Sequence, residues 1–182
     1  ALIVRKPMVA TFHGAVDVAA GERFLRAKFS LIGRGAASIV CVSQRLQEEL
    51  SRRSPLPARK LRLIYNGVDP DVFETGKATG LRDELGLPAN ARIVLSIGNI
   101  RPAKGYEYLV DAAVQMASRD QGINFVVVGH QRESLFKELQ EKIARAETAP
   151  NIHWLGFRED VVNLLRQADV FLLPSTSEGF SI

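Results

Sequence analysis

Two rhythms of apolar positions alternate along the chain. Short, nearly unbroken apolar runs bounded by Gly, Pro or Ser fall at Pro7–Phe12, Ser38–Val42, Leu61–Tyr65, Arg92–Ile97, Ile123–Val128, Ile152–Leu155 and Val170–Leu173. Their length and continuity predict strands, and Ile93–Ile97 reads as buried on both faces. Between them, apolar residues recur three and four apart, the spacing of a helical stripe. The stripe over Tyr106–Ser118 uses Tyr108, Leu109, Ala112, Ala113 and Met116, and others are expected over Ser134–Thr148 and Asp160–Arg166. Ser43 is placed to cap a helix carrying Leu46 and Leu50, and Ala15–Gly35 is expected to be helical in part.

From residue 92 onward the rhythm is strand–helix without interruption, which predicts an α/β fold with a parallel sheet and right-handed crossovers. The strands there end in Gly98, Gly129, Gly156 and Pro174-Ser175. The carboxyl ends of such strands are where open α/β sheets take ligands. Between the halves, Asp69–Asn90 is punctuated by Pro70, Gly76, Gly80, Gly86 and Pro88, with a short helix expected near Leu81–Leu85. The expected domains are therefore residues 1–72, a linker over 73–91, and 92–182. The last residues turn out of a strand into a new loop, so the sequence reads as an internal piece of a longer protein.

Composition narrows the classes. With 46% hydrophobic residues among 182, the chain is globular rather than disordered. No apolar run approaches the roughly 20 residues of a membrane-spanning helix. Cys41 is the single cysteine, so neither an intrachain disulfide nor a cysteine-cluster metal site is available. His13, His130 and His153 are scattered without ligand spacing. These features fit a cytoplasmic location. The net charge of +4 is uneven: residues 1–70 hold 12 Lys and Arg against 5 Asp and Glu. That excess predicts an anionic partner for the first half. No aromatic-rich basic groove or zinc pattern points to nucleic acid. The segment from Phe24 to Arg34 could instead rest on an anionic membrane surface, which would put the protein at the cytoplasmic face.

The stretch Gly98-Asn99-Ile100-Arg101-Pro102-Ala103-Lys104-Gly105 carries the chemistry. It joins a buried strand to a helix N-terminus, where N–H groups and the helix dipole favour an anion, above all a phosphate. Lys104 and Arg101 add full charges there.

In order along the chain, Thr11-Phe12-His13-Gly14, Ala36 to Ser43, Leu63 to Asp69, Gly98 to Gly105, Trp154-Leu155-Gly156-Phe157 and Phe171 to Ile182 resemble the motifs of the retaining family 4 glycosyltransferases of the GT-B fold. The resemblance implies two Rossmann-like parallel-sheet domains, the first present in part and the second nearly whole. It implies transfer of a hexose from a nucleotide sugar to a glycan or lipid-linked acceptor with retention, as in polysaccharide biosynthesis, and without metal or other cofactor. Lys104, Glu178 and His13 would then be catalytic: Lys104 at the leaving diphosphate, Glu178 against the donor sugar, His13 across the cleft. Gly98, Asn99, Arg101, His130, Arg132, Phe157, Arg158, Gly179, Phe180, Ser181 and Ile182 would complete the donor site. One departure stands out: the family usually has Arg directly after the glycine of the diphosphate loop, and this chain has Asn99, with Arg101 as its nearest arginine. A nucleotide-sugar 2-epimerase or a non-catalytic nucleotide-sugar-binding module are the alternatives on the same architecture.

Overall fold

A computed structural model of the chain describes residues 6–14, 25–74, 78–131 and 133–178. It divides into two compact units, residues 1–68 with 177–182, and residues 69–176.

The first unit holds a parallel sheet in the order β1 (Val9–Phe12), β2 (Ser38–Cys41), β3 (Leu61–Leu63). Alternation along each strand puts Phe12, Ile39, Cys41 and Leu61 on one buried face, where they pack with Phe29 of α1 (Leu25–Gly35) and with Leu46 and Leu50 of α2 (Gln44–Arg53). Phe12 and Phe29 meet edge to face at 5.7 Å. The Ser43 hydroxyl accepts from the Leu46 N–H at 3.3 Å, the N-cap expected at that position. Cys41 is fully buried, and burial raises its thiol pKa.

Lys60 closes the end of α1. Its ammonium donates to the carbonyls of Gly33 at 2.8 Å and Ala36 at 2.7 Å. These are C-terminal carbonyls with no helical partner, and a cation there also complements the helix dipole. Lys60→Met, which keeps the aliphatic stem, should cost about 1–3 kcal/mol of stability. A urea titration that shows no change would remove this role.

The second unit is a four-stranded parallel sheet in the order β6-β5-β4-β7, with β4 Arg92–Ile97, β5 Ile123–Val128, β6 Ile152–Gly156 and β7 Val170–Phe171. Side chains alternate between two cores. Phe125 and Val127, with Val94 beside them, face α5 (Tyr106–Ala117) and α6 (Glu133–Ala144) through Tyr106, Leu109, Val110 and Leu139. Ile93, Leu95, Val126 and Val128 face α4 (Leu81–Glu84) and α7 (Val161–Gln167) through Leu81 and Leu164. A sheet covered on both faces explains why its strands read as continuous apolar runs. The short α3 (Asp71–Glu74) precedes α4.

Part of the punctuated stretch is tied to this unit. The Thr79 N–H donates to Asn163 Oδ1 at 3.1 Å and the Leu81 N–H to Gln167 Oε1 at 2.9 Å. Arg82 donates to Asp169 at 3.2 Å, and the same carboxylate oxygen accepts from the Ile93 N–H at 2.7 Å. α6 ends at Ala144, short of the expected Thr148. The Arg145 and Ala146 N–H groups turn to carbonyls three residues back, which tightens and stops the helix.

His153 lies on β6 with its Nε2 3.1 Å from Asn124 Oδ1, and burial lowers its pKa below the ordinary 6.5. A depressed folded-state pKa means that the unfolded chain binds the proton more readily, so stability present above pH 6.5 is lost as pH falls through the folded pKa. Melting temperature should therefore drop between pH 7 and pH 5. His153→Gln should flatten that part of the profile; an unchanged profile would assign the pH dependence elsewhere.

Candidate functional site

The strand order sets where a ligand can enter. The chain steps outward from β4 to β5 to β6, then returns to lay β7 on the other side of β4. The loops leaving the carboxyl ends of β4 and β7 are therefore neighbours at a switch point, the place where open α/β sheets take ligands. The stretch from Gly98 to Gly105 forms one part of this rim, and Pro174 to Thr176 the other.

Backbone contacts lock this rim together. After β4 the chain makes a 3-10 turn at Pro102–Lys104, and Gly105 takes a left-handed φ of 63° before α5 starts. A Cβ on Gly105 would overlap the Pro174 carbonyl, so only glycine fits that approach. Thr176 donates its N–H to the Ala103 carbonyl at 3.0 Å. The Tyr106 hydroxyl donates to the Gly98 carbonyl at 2.6 Å. A Cβ on Gly98 would lie 3.5 Å from both Cδ and Cε of Lys104, so the lysine stem crosses the glycine at the loop entrance. The Ser175 hydroxyl oxygen is buried at the rim with no hydrogen-bond partner among the described residues.

The next two loops join the same edge. Gly129, at φ 145°, lies against Gly98 so closely that a Cβ would overlap the Gly98 carbonyl. The Ile100 N–H donates to the His130 carbonyl at 2.8 Å, and the His130 N–H to Asn99 Oδ1 at 3.1 Å. The Gly129 N–H donates to the Gly156 carbonyl at 2.7 Å. The imidazole of His130 stacks on the ring of Phe157, with centroids 4.8 Å apart and planes 10° from parallel. Phe157 remains 59% exposed.

The structure thus gathers Gly98, Asn99, Arg101, Lys104, His130 and Phe157 along the carboxyl edge of one sheet. Arg101 is exposed at the start of the 3-10 turn. Arg158 follows Phe157, but its guanidinium is engaged. It makes two bonds to Asp160, at 2.8 and 2.9 Å, and one to Glu84 at 2.6 Å. The pair holds the Asp160 carboxyl down at about 2 and raises the Arg158 pKa, chiefly by these hydrogen bonds. Trp154 packs in the core, edge to face with Phe136 at 5.2 Å. His13 is exposed just after β1 in the first unit, and Glu178 is half-buried and groups with that unit. Arg132, Gly179, Phe180, Ser181 and Ile182 lie outside the described residues, as does Phe24. Among the described residues no group of three His, Cys, Asp or Glu could hold a metal ion. Among them, too, no helix is long and apolar enough to cross a membrane.

Sequence reading placed Gly129 and Ser175 at strand ends that take ligands but gave neither of them, nor Tyr106, a role of its own. A tyrosine opening a helix stripe looks like core, and its hydroxyl bond to Gly98 gives no local signal. Glycines ending successive strands were visible, but not the close approach that requires them.

Residues 78–182 match the family described as glycosyl transferases group 1, and residues 1–72 match glycosyltransferase family 4. A D-inositol 3-phosphate glycosyltransferase from Mycobacteroides abscessus is 33% identical over 131 residues, covering 69% of this chain and 28% of the relative. The O-antigen biosynthesis glycosyltransferase WclY of Escherichia coli is 28% identical over 127 residues, covering 70% and 34%. The crystal structure of Anabaena HepE in complex with UDP and glucose superposes with a TM-score of 0.87 at 27% identity, covering 99% of this chain and 50% of HepE. The chain spans about a third of the length of these two curated relatives.

Proposed function

Since the chain belongs to the glycosyl transferases group 1 family and has the α/β fold of GT-B glycosyltransferases, we propose that it forms the donor-binding part of an enzyme that transfers a hexose from a nucleotide sugar to a glycan or lipid-linked acceptor. The observation that carries this reading is the β4/β7 switch point, where Lys104 crosses Gly98 at the entrance to α5. The leaving diphosphate gains charge as the sugar departs. A cation and helix N–H groups aimed at it stabilise that charge more in the transition state than in the ground state. Lys104 supplies the cation, without a metal ion. Arg101 supplies a second, from two positions beyond the site where the family usually has arginine.

His130 and Phe157 flank the nucleoside, and Phe157 offers an exposed ring face to the base. Arg158 supports that wall through Asp160 and Glu84 rather than by touching the base. Glu178 accepts hydroxyl hydrogen bonds from the donor sugar, and Gly179, Phe180, Ser181 and Ile182 present backbone N–H groups to it. His13 acts from the first domain. Transfer proceeds with retention. The basic first unit, with Arg26, Lys28, Leu31 and Arg34 exposed along α1, suits an anionic membrane surface.

Thermal-shift screening with UDP-, GDP- and ADP-sugars tests the donor class; stabilisation by none of them would sink the reading. In the full-length protein, Arg101→Ala should then raise the donor KM about three- to thirtyfold, the loss of one exposed charge-assisted contact. A KM within error of wild type would leave the diphosphate to Lys104.

A further inference from the structure

We propose that Asn99 is a positioning residue of the donor site, acting on the nucleoside end through His130 and not on the diphosphate by direct contact. This inference rests on the reading of His130 and Phe157 as the nucleoside wall. The orientation of the Asn99 amide is settled by chemistry: the group facing it is the His130 backbone N–H, which can only donate, so Asn99 Oδ1 must accept. The partner bond runs the other way, from the Ile100 N–H to the His130 carbonyl at 2.8 Å. Together the two bonds hold both backbone groups of His130 against the loop that follows β4.

The consequence reaches the side chain. With its backbone held on both sides and Gly129 pressed against Gly98 just before it, His130 has its Cα fixed at one place on the rim, from which its ring reaches Phe157. Its ring lies flat on Phe157, 4.8 Å away, while Phe157 is otherwise exposed at 59%. An exposed aromatic ring on a loop keeps one orientation only if something packs against it, and here that something is the imidazole. The path runs from Asn99 Oδ1 to the His130 N–H, to the imidazole, to Phe157. The position that opens the phosphate loop thereby sets the flat wall made by the loops of the next two strands, and binding loses less order when that wall is already formed.

The test separates the two ends of the donor. Affinities of the protein are measured for inorganic pyrophosphate and for whichever of UDP, GDP and ADP binds the wild type most tightly. Asn99→Ala should weaken the nucleotide about five- to tenfold, the scale of one neutral hydrogen bond, and pyrophosphate less than about twofold. Phe157→Ala with Asn99→Ala should be no weaker than Phe157→Ala alone, because both changes break one path. Circular dichroism of each variant verifies that it is folded. Equal weakening of pyrophosphate and nucleotide would mean that Asn99 meets the phosphates itself, and the proposal falls. It also falls if neither affinity changes, or if the two substitutions add. Lys104→Ala is the control: it should weaken both probes, and if it weakens neither, it is the proposed diphosphate site that fails, whatever Asn99 does.

Discussion

In the full-length protein, with the proposed transfer as the assay, Lys104→Ala should lower kcat by about 30- to 1000-fold, equivalent to roughly 2–4 kcal/mol of transition-state stabilisation. The lysine stem passes over Gly98, and the residue closes a 3-10 turn directly before α5. Its ammonium therefore adds a full charge where the helix dipole already favours an anion. Much of the loss should fall on kcat, because negative charge on the diphosphate grows as the glycosidic bond breaks. Melting temperature should change little: the residue lies in a partly exposed turn and contributes to neither core. Steady-state kinetics on the folded variant decide the matter. Unchanged kcat and unchanged donor affinity would place the diphosphate away from this loop.

Gly129→Ala should be the most damaging single substitution at the site. The new Cβ would overlap the Gly98 carbonyl and lie 3.0 Å from the Asn99 nitrogen, both backbone atoms that cannot swing aside. The φ of 145° is itself unfavourable for an L-residue. Backbone strain of about 1–3 kcal/mol and a packing cost of similar size add to a loss of roughly 2–6 kcal/mol. Gly156→Ala separates the two effects. Gly156 also has a positive φ, 67°, but a Cβ there meets nothing within 4 Å, so only the conformational cost remains. That cost is about 1–2 kcal/mol. Urea unfolding of both variants provides the comparison. If Gly129→Ala is no worse than Gly156→Ala, the loops after β4 and β5 are not packed as described.

Much of the second unit could be read from sequence because its signals are local. Arg92–Ile97 and Ile123–Val128 were bounded as strands to the residue, since an apolar run that stops at glycine is a short-range pattern. The start of α5 at Tyr106 followed from the same kind of signal. What local pattern could not supply was adjacency. Four parallel strands in sequence do not say that β7 returns beside β4, yet that return creates the switch point and brings Pro174 onto Gly105. Likewise, Arg158 beside Phe157 reads as a free cation for a ligand, and only the fold brings Glu84 to within 2.6 Å of it from 74 residues away. Asn99 shows the same limit. In sequence it is an absent arginine; in the fold its side-chain oxygen meets a backbone N–H 31 residues on.

The burial of Cys41 has a practical consequence. It is the single thiol of the chain and sits fully enclosed in the central strand of the first unit's sheet. A thiol-specific reagent can modify it only when that unit opens, so the labelling rate at low denaturant measures the free energy of that opening alone. The second unit contains no competing thiol. The chain thus carries an intrinsic reporter by which the opening of its first unit can be followed separately from that of the second, without any engineered label.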